Sequence, residues 1–214
     1  ADYPLLFNLM VRRRSILKFK SAPVEKALIE KVVEAALSAP MGLPPSDVSV
    51  MVFDSREKVT SFTRDFCQYL EKIRWISSSW FLTLMKPFWG KETDELFRNF
   101  MRPLIDKYIG AMKEGENVVT YDAPAMLYFY GSPYSDPADP IITATYAMMA
   151  AESLGLGTCM LGAIHPMIQS GGAARKFREE HGIRCKSREG LFLIMGYPKA
   201  EFLKGIRRSF ASVN

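Results

Sequence analysis

Residues 141–154 are almost unbroken hydrocarbon: Ile141, Ile142, Ala144, Ala147, Met148, Met149, Ala150 and Ala151 leave little polar face to offer water. A helix that is apolar nearly all round has to be covered on most sides, so this one is expected at the centre of the fold. Gly155 and Gly157 end it. A short apolar strand, Thr158 to Leu161, follows and closes on Gly162. The rest of the chain must wrap around that helix and strand.

The flanking segments supply the wrapping. Residues 4–14 read as a short helix with Leu5, Leu6, Leu9 and Met10 on one side. From Pro23 to Leu37, the residues Leu28, Ile29, Val32, Val33 and Ala36 share one helical face, while Glu25, Lys26, Glu30 and Lys31 face water. Pro23 suits the first turn, and Pro40 with Gly42 stops the helix. Val48, Val50 and Val52 alternate with Ser49, Met51 and Phe53, the period of a strand ending near Asp54. Residues 56–114 read as largely helical and crowded with aromatics, an insertion between the first two strands. Ala125 to Tyr130 and Leu191 to Met195 read as buried strands, Ser132 to Pro140 as a linker, and residues 172–181 as a polar surface helix. By pattern alone, strands alternating with helices suggest a parallel, doubly wound sheet.

At 214 residues the chain fits one domain, spanning 1–214, with a helical insertion at about 56–120. The composition, 48% hydrophobic and 24% charged, supports a substantial core. Cys67, Cys159 and Cys185 show no C-x-x-C spacing, and only His165 and His181 accompany them, so no metal site is expected. The three cysteines suit free thiols in a reducing compartment. Trp75 to Trp89 is too short and too interrupted to span a bilayer, and a cytoplasmic protein with no membrane partner is expected. No candidate catalytic acid or base stands out, since neither histidine has an evident partner.

The net charge of +5 is concentrated in residues 11–20 and 204–208. Arg12, Arg13, Arg14 and Ser15 cannot be buried as they stand, because guanidinium groups stay charged. They can cradle a phosphate, where forked, charge-assisted hydrogen bonds are strongest. Arg207 and Arg208 near the other terminus are expected to close on the same anion. No basic recognition helix or aromatic-interleaved basic strand accompanies them, so nucleic acid is not the expected partner. The glycines of Leu154-Gly155-Leu156-Gly157 follow a helix and precede a strand, the reverse of a dinucleotide fingerprint. Helix capping explains Gly155 but not Gly162, where a missing side chain would let a planar ring approach the backbone.

Taken together, these segments resemble the FMN-dependent nitroreductase family. The opening pattern stands at Arg13-Arg14-Ser15-Ile16-Leu17-Lys18-Phe19, then Pro23-Val24 and Ala39-Pro40. The later one stands at Leu154 to Gly162, and the closing Gly-Tyr-Pro at Gly196-Tyr197-Pro198. The resemblance covers residues 4–54 and 122–214. It implies an α+β fold, a central mainly antiparallel sheet wrapped by helices, in an intertwined homodimer with FMN at the interface. It overrides the parallel sheet that alternation suggests.

Carried over position by position, the resemblance gives Arg13, Arg14 and Ser15 the FMN phosphate and ribityl chain, with Arg207 or Arg208 returning to the phosphate. It brings Pro40, Met41 and Gly42 to the flavin from the second subunit, and sets Met160, Leu161 and Gly162 against the ring. The chain departs from the family at Leu17, where a charge usually faces the flavin, and in the loop after Pro40, which lacks the usual serine and asparagine. One or two of Trp75, Trp80, Phe88 and Trp89 are expected to line the substrate pocket.

The implied activity is alternating reduction and oxidation. The donor is NAD(P)H or a reduced ferredoxin-like iron–sulfur protein, and the acceptor a nitroaromatic, quinone or similar small molecule. FMN binding without turnover, and flavin-cleaving or dehalogenating relatives, remain open alternatives. The stretch Ala39 to Val48, with no methionine before Ala1, is like that of members forming the back half of longer proteins with a ferredoxin-like front half.

Overall fold

Burial patterns dictate how the strands stack. Residues 2–42, 47–202, 204–206, 209, 211 and 212 are described by a computed structural model. The strands are β1 (Val48–Phe53), β2 (Ala125–Gly131), β3 (Gly157–Leu161) and β4 (Gly190–Gly196). They form one sheet in the order β1-β2-β4-β3, and every pair is antiparallel. β2 and β4 are buried along their whole length, which is why they read as continuous apolar runs.

Alternate side chains divide between two cores. Met126, Tyr128, Tyr130, Phe192 and Ile194 face one layer with Phe62, Phe66, Leu70 and Phe177. These come from α3 (Arg56–Ile73) and α7 (Gly172–Glu180), with Ile105 and Ile109 from α5 (Arg102–Lys113). Ala125, Leu127, Phe129, Leu193 and Met195 face the other layer, α2 (Lys26–Ala36) and α6 (Asp139–Ser153). Each large side chain taken fully out of water stabilises the fold by about 1.5–3 kcal/mol. Ser55 caps α3 by accepting from the Lys58 amide.

Some local readings are corrected. The leucine face of α1 (Tyr3–Arg12) is only lightly covered by the described residues: α1 touches α6, yet none of its residues is buried, and Leu5 is 68% exposed. α6 is covered on one side by the sheet and α2, while Ile142, Thr145, Tyr146 and Met149 stay partly exposed. Pro23 precedes its helix, which begins at Lys26 with Glu25 as cap. The alternation argument for parallel strands fails because β2 and β4 are not consecutive parallel neighbours joined by a crossover; they run antiparallel side by side.

Between β1 and β2 the chain also forms α4 (Ser79–Leu96), which contains Pro87 and breaks from helical geometry at Gly90, φ 74°. Trp75, Trp80 and Phe88 are more than half exposed, whereas Trp89 packs on Phe97 with centroids 4.8 Å apart. No described helix is long and apolar enough to cross a membrane.

Candidate functional site

The basic residues and the glycine segment meet along the outer edge of β3. α6 ends in a left-handed turn at Gly155, φ 80°, closed by Gly155 N to Glu152 O at 3.1 Å and Leu156 N to Ala151 O at 2.9 Å. Those paired bonds satisfy the last helical carbonyls and aim the chain into β3. β3 pairs with β4 on one side. Its other side is bridged, among the described residues, by Ser15 opposite Thr158, with Ile16 N donating to Thr158 O at 2.8 Å. Gly157 makes this approach feasible, since a Cβ there would lie 2.6 Å from Ile16 Cγ1.

Arg13 and Arg14, half-buried, thereby line a cavity of about 450 Å³ with Arg12, Glu152, Gly157 and Phe202. Arg14 Nη2 donates to the Lys204 carbonyl, and its guanidinium lies 5.9 Å from the Phe202 ring centre. The Ile206 amide donates to Val11 O at 3.1 Å, so the C-terminal segment does return to the first basic cluster. Arg207 and Arg208 themselves lie outside the described residues.

Two titratable groups border the arginines. Burial raises the Glu152 carboxyl, against the opposing pull of its Thr158 hydrogen bond, 2.6 Å from Oγ1 to Oε1, and of Arg13. Burial likewise raises the Cys159 thiol, countered by Ser15 and Arg13.

Farther along β3, Met160 and Leu161 are half-buried and Gly162 is exposed. A Cβ on Gly162 would meet nothing within 4 Å among the described residues, so no packing between them calls for glycine there. Gly162 borders a second cavity of about 760 Å³ with His165, Gln169, Ser187 and Arg188. From Thr158 to Gly162 the strand edge runs about 13 Å at a strand's rise per residue. Leu17 is 39% exposed, on the arm between Ile16 and the Lys20 amide that donates to Tyr197 O.

The Pro40–Gly42 loop is brought elsewhere. Gly42 N donates to Asp139 Oδ1 at 3.0 Å, at the start of α6, while Glu152 is at its end. The helix axis separates them by about 20 Å. Asp139 Oδ2 is buried without a hydrogen-bond partner among the described residues.

Sequence reasoning missed the histidine contacts. The Ser187 amide donates to Gln169 Oε1 at 3.0 Å, which turns the Gln169 Nε2 toward Tyr128 Oη and His165 Nδ1. With Gln169 Nε2 also facing Nδ1, that nitrogen acts as an acceptor: the Tyr128 hydroxyl donates a hydrogen bond to it at 2.9 Å, and the ring proton is on Nε2. Burial lowers the His165 pKa, with the Arg188 carbonyl opposing, although among the described residues no hydrogen bond of normal geometry forms at Nε2. His181 Nε2 lies 3.7 Å from Asp65 Oδ2. Both partners come from distant sequence, so no local motif announces them.

Also unannounced is the turn before β2. Tyr121 and Asp122 both adopt left-handed backbone, φ 54° and 50°. Asn117 holds them: its Oδ1 accepts from Val119 N and Thr120 N, and its Nδ2 donates to Thr120 Oγ1 and Asp122 Oδ1.

Among protein-family descriptions, "Nitroreductase family" matches residues 10–197. A search of curated proteins finds no match. Similar solved structures include a nitroreductase with bound FMN from Desulfitobacterium hafniense, 20% identical, covering 98% of each chain at a TM-score of 0.66. Another, from Bacteroides fragilis and also with bound FMN, is 13% identical, covers 100% of this chain and 98% of its own, and reaches 0.69. An oxidised iodotyrosine deiodinase bound to FMN and 3-iodo-L-tyrosine is 16% identical over 97% of each chain at 0.56.

Proposed function

The chain belongs to the nitroreductase family, and on that premise we propose that it is an FMN-dependent oxidoreductase that accepts electrons from a donor and passes them to a small acceptor. The donor is NAD(P)H or a reduced iron–sulfur protein, and the acceptor a nitroaromatic, quinone or similar small molecule. The observation that carries the reading is the edge of β3, with Arg13, Arg14 and Ser15 at one end and the open face of Gly162 at the other. Its length suits a phosphorylated chain ending in a flat ring.

The residues present fit that cofactor. Arg13, Arg14 and Ser15 hold the phosphate with forked, charge-assisted bonds. Arg207 and Arg208 join them from the returning C-terminal segment. Met160 and Leu161 offer backbone groups of an edge strand, and Gly162 leaves room for the ring. Leu17 brings no charge to it, so negative charge on the ring is less stabilised than a lysine or arginine would make it, and the exposed Lys18 and Lys20 are the nearest substitutes. When bound, FMN supplies the redox chemistry while the chain orients it. No side chain is assigned the role of catalytic acid or base.

The assembly is a homodimer. The uncovered apolar faces of α1 and α6 support this, as does the distance of Pro40, Met41 and Gly42 from the arginine cavity of their own chain. In the dimer that loop reaches the ring held by the other subunit.

The visible spectrum of the purified protein is the test. Oxidised-flavin bands, FMN released on denaturation, and bleaching by NADPH or reduced ferredoxin uphold the reading. Changing both Arg13→Ala and Arg14→Ala should remove the colour from a folded protein. A colourless wild type overturns the cofactor, and a yellow protein that no donor bleaches leaves binding without turnover. An iodinated phenol beside the nitroaromatic separates dehalogenation from nitro reduction, and light scattering reads the oligomeric state.

A further inference from the structure

We infer that Glu152 is a working member of the phosphate site, and that a phosphate group enters the arginine cavity together with a proton on the Glu152 carboxyl. The inference rests on the FMN reading for the identity of the ligand, but its geometry belongs to the chain alone. Glu152 lines the same cavity as Arg12, Arg13 and Arg14. Its Oε1 accepts from Thr158 Oγ1 at 2.6 Å, and the Thr158 carbonyl accepts from Ile16, the residue after Ser15. One carboxyl thus joins the end of α6, the start of β3 and the arm that carries the arginines.

A carboxylate is an unexpected lining for an anion site. It lies in the last turn of a helix, where the negative end of the helix dipole disfavours negative charge. It is half-buried, and burial already raises it. What favours ionisation is the Thr158 hydrogen bond and Arg13. Among the described residues, the other charged groups facing the cavity are Arg12 and Arg14, from α1 and the arm, and Glu201 from the C-terminal segment; Arg13 also acts on Cys159 of β3.

A phosphate monoester near neutral pH carries between one and two negative charges and accepts strongly from guanidinium groups. When it takes Arg13, Glu152 loses its main counter-charge and gains an anionic neighbour. Both changes favour the neutral acid, which can still accept from Thr158 through one oxygen. The balance is one proton taken from solvent by the carboxyl, with no covalent bond to phosphorus made or broken. Phosphate affinity is therefore greatest below the free-state pKa of Glu152 and falls as pH rises toward its higher, bound-state pKa. The fall amounts to about tenfold for each unit separating the two.

The test is calorimetry of FMN binding to the full chain, freed of flavin, at one pH in buffers of different ionisation enthalpy. Wild type should take up a fraction of a proton per FMN, and Glu152→Gln distinctly less. Glu152→Gln keeps the oxygen that accepts from Thr158, and it should bind FMN at least as tightly as wild type at pH 8. The titration of the phosphate is common to both proteins, so their difference isolates the carboxyl. Riboflavin, which lacks the phosphate, should show no such difference. Equal proton uptake in both proteins overturns the inference. If FMN binds neither, inorganic phosphate and carbon NMR of the Glu152 carboxyl decide instead. A midpoint raised by phosphate upholds the inference while the FMN reading falls, and an unmoved midpoint ends both.

Discussion

Gly157→Ala tests the closure of the site at one methyl group. The added Cβ would lie 2.6 Å from Ile16 Cγ1, 3.0 Å from its Cβ and 3.1 Å from Cγ2. Carbon atoms prefer about 3.5–4.0 Å, so the arm must retreat by about 1 Å. Ile16 is buried, and its amide holds Thr158 O at 2.8 Å, so the retreat strains or breaks the one described bridge to β3. Overpacking of this kind costs about 1–3 kcal/mol. Because Arg13, Arg14 and Ser15 ride on the same arm, FMN affinity should fall by roughly 5- to 150-fold, the same free energy at tenfold per 1.4 kcal/mol. Ile16→Ala removes both γ carbons and by itself should destabilise by about 2–5 kcal/mol. Combined, the two changes should cost at least about 1 kcal/mol less than their sum, since each relieves the other. Urea unfolding gives the stabilities, and quenching of FMN fluorescence gives the affinities. Strict additivity, or wild-type affinity in Gly157→Ala, would refute the reasoning.

Asn117→Ala strips four hydrogen bonds from a turn with two left-handed residues. At about 0.5–1.5 kcal/mol per bond, urea unfolding should show a loss of about 2–6 kcal/mol. Burial pushes the Cys67 thiol up to about 11, so at pH 8 it should resist disulfide reagents until the protein unfolds; labelling followed by mass spectrometry checks this. Burial lowers His165 and His181 from their ordinary value of 6.5. The unfolded chain then binds more protons, so the stability present above pH 6.5 should erode as pH falls below it. Thermal melts between pH 7.5 and 5 read this, and His165→Gln with His181→Gln should flatten the acid side of the profile.

What could be read from the sequence was what short windows carry. Ala125 to Tyr130 and Leu191 to Met195 announced β2 and β4 to within a residue, because apolar runs bounded by glycine or proline are local signals. The helix over 141–154 and the glycines after it stood out for the same reason. The exposure of the leucines on α1 was not legible, since an apolar stripe says that something must cover it and not what. Antiparallel pairing of β2 with β4 joins residues some 65 positions apart and leaves no trace in either segment. The contact of Ser15 with Thr158, the tie of Tyr128 to His165 and the carboxyl of Glu152 beside Arg13 are of that kind. The motif at Leu154 to Gly162 draws attention to the glycines and away from Glu152, two residues earlier.

The arginine site is built from the parts of the chain that the core holds least. α1 buries none of its residues, and the described C-terminal residues are exposed and tied back by Ile206 N to Val11 O and by Arg14 to the Lys204 carbonyl. Three adjacent guanidinium groups on that arm repel one another, and Glu152 and Glu201 offset them only in part. On the proposed reading, a bound phosphate would remove the repulsion and bridge arm to strand, and its affinity would include the cost of ordering them. Cofactor binding and docking of the termini would then be one equilibrium. A ligand at a hundred times its Kd adds about 2.7 kcal/mol to such a fold. That gain exceeds what either hydrogen bond holding the tail supplies. Neither core draws on α1 or on the described residues after Tyr197, so the lightly packed termini can carry the site without being part of either core.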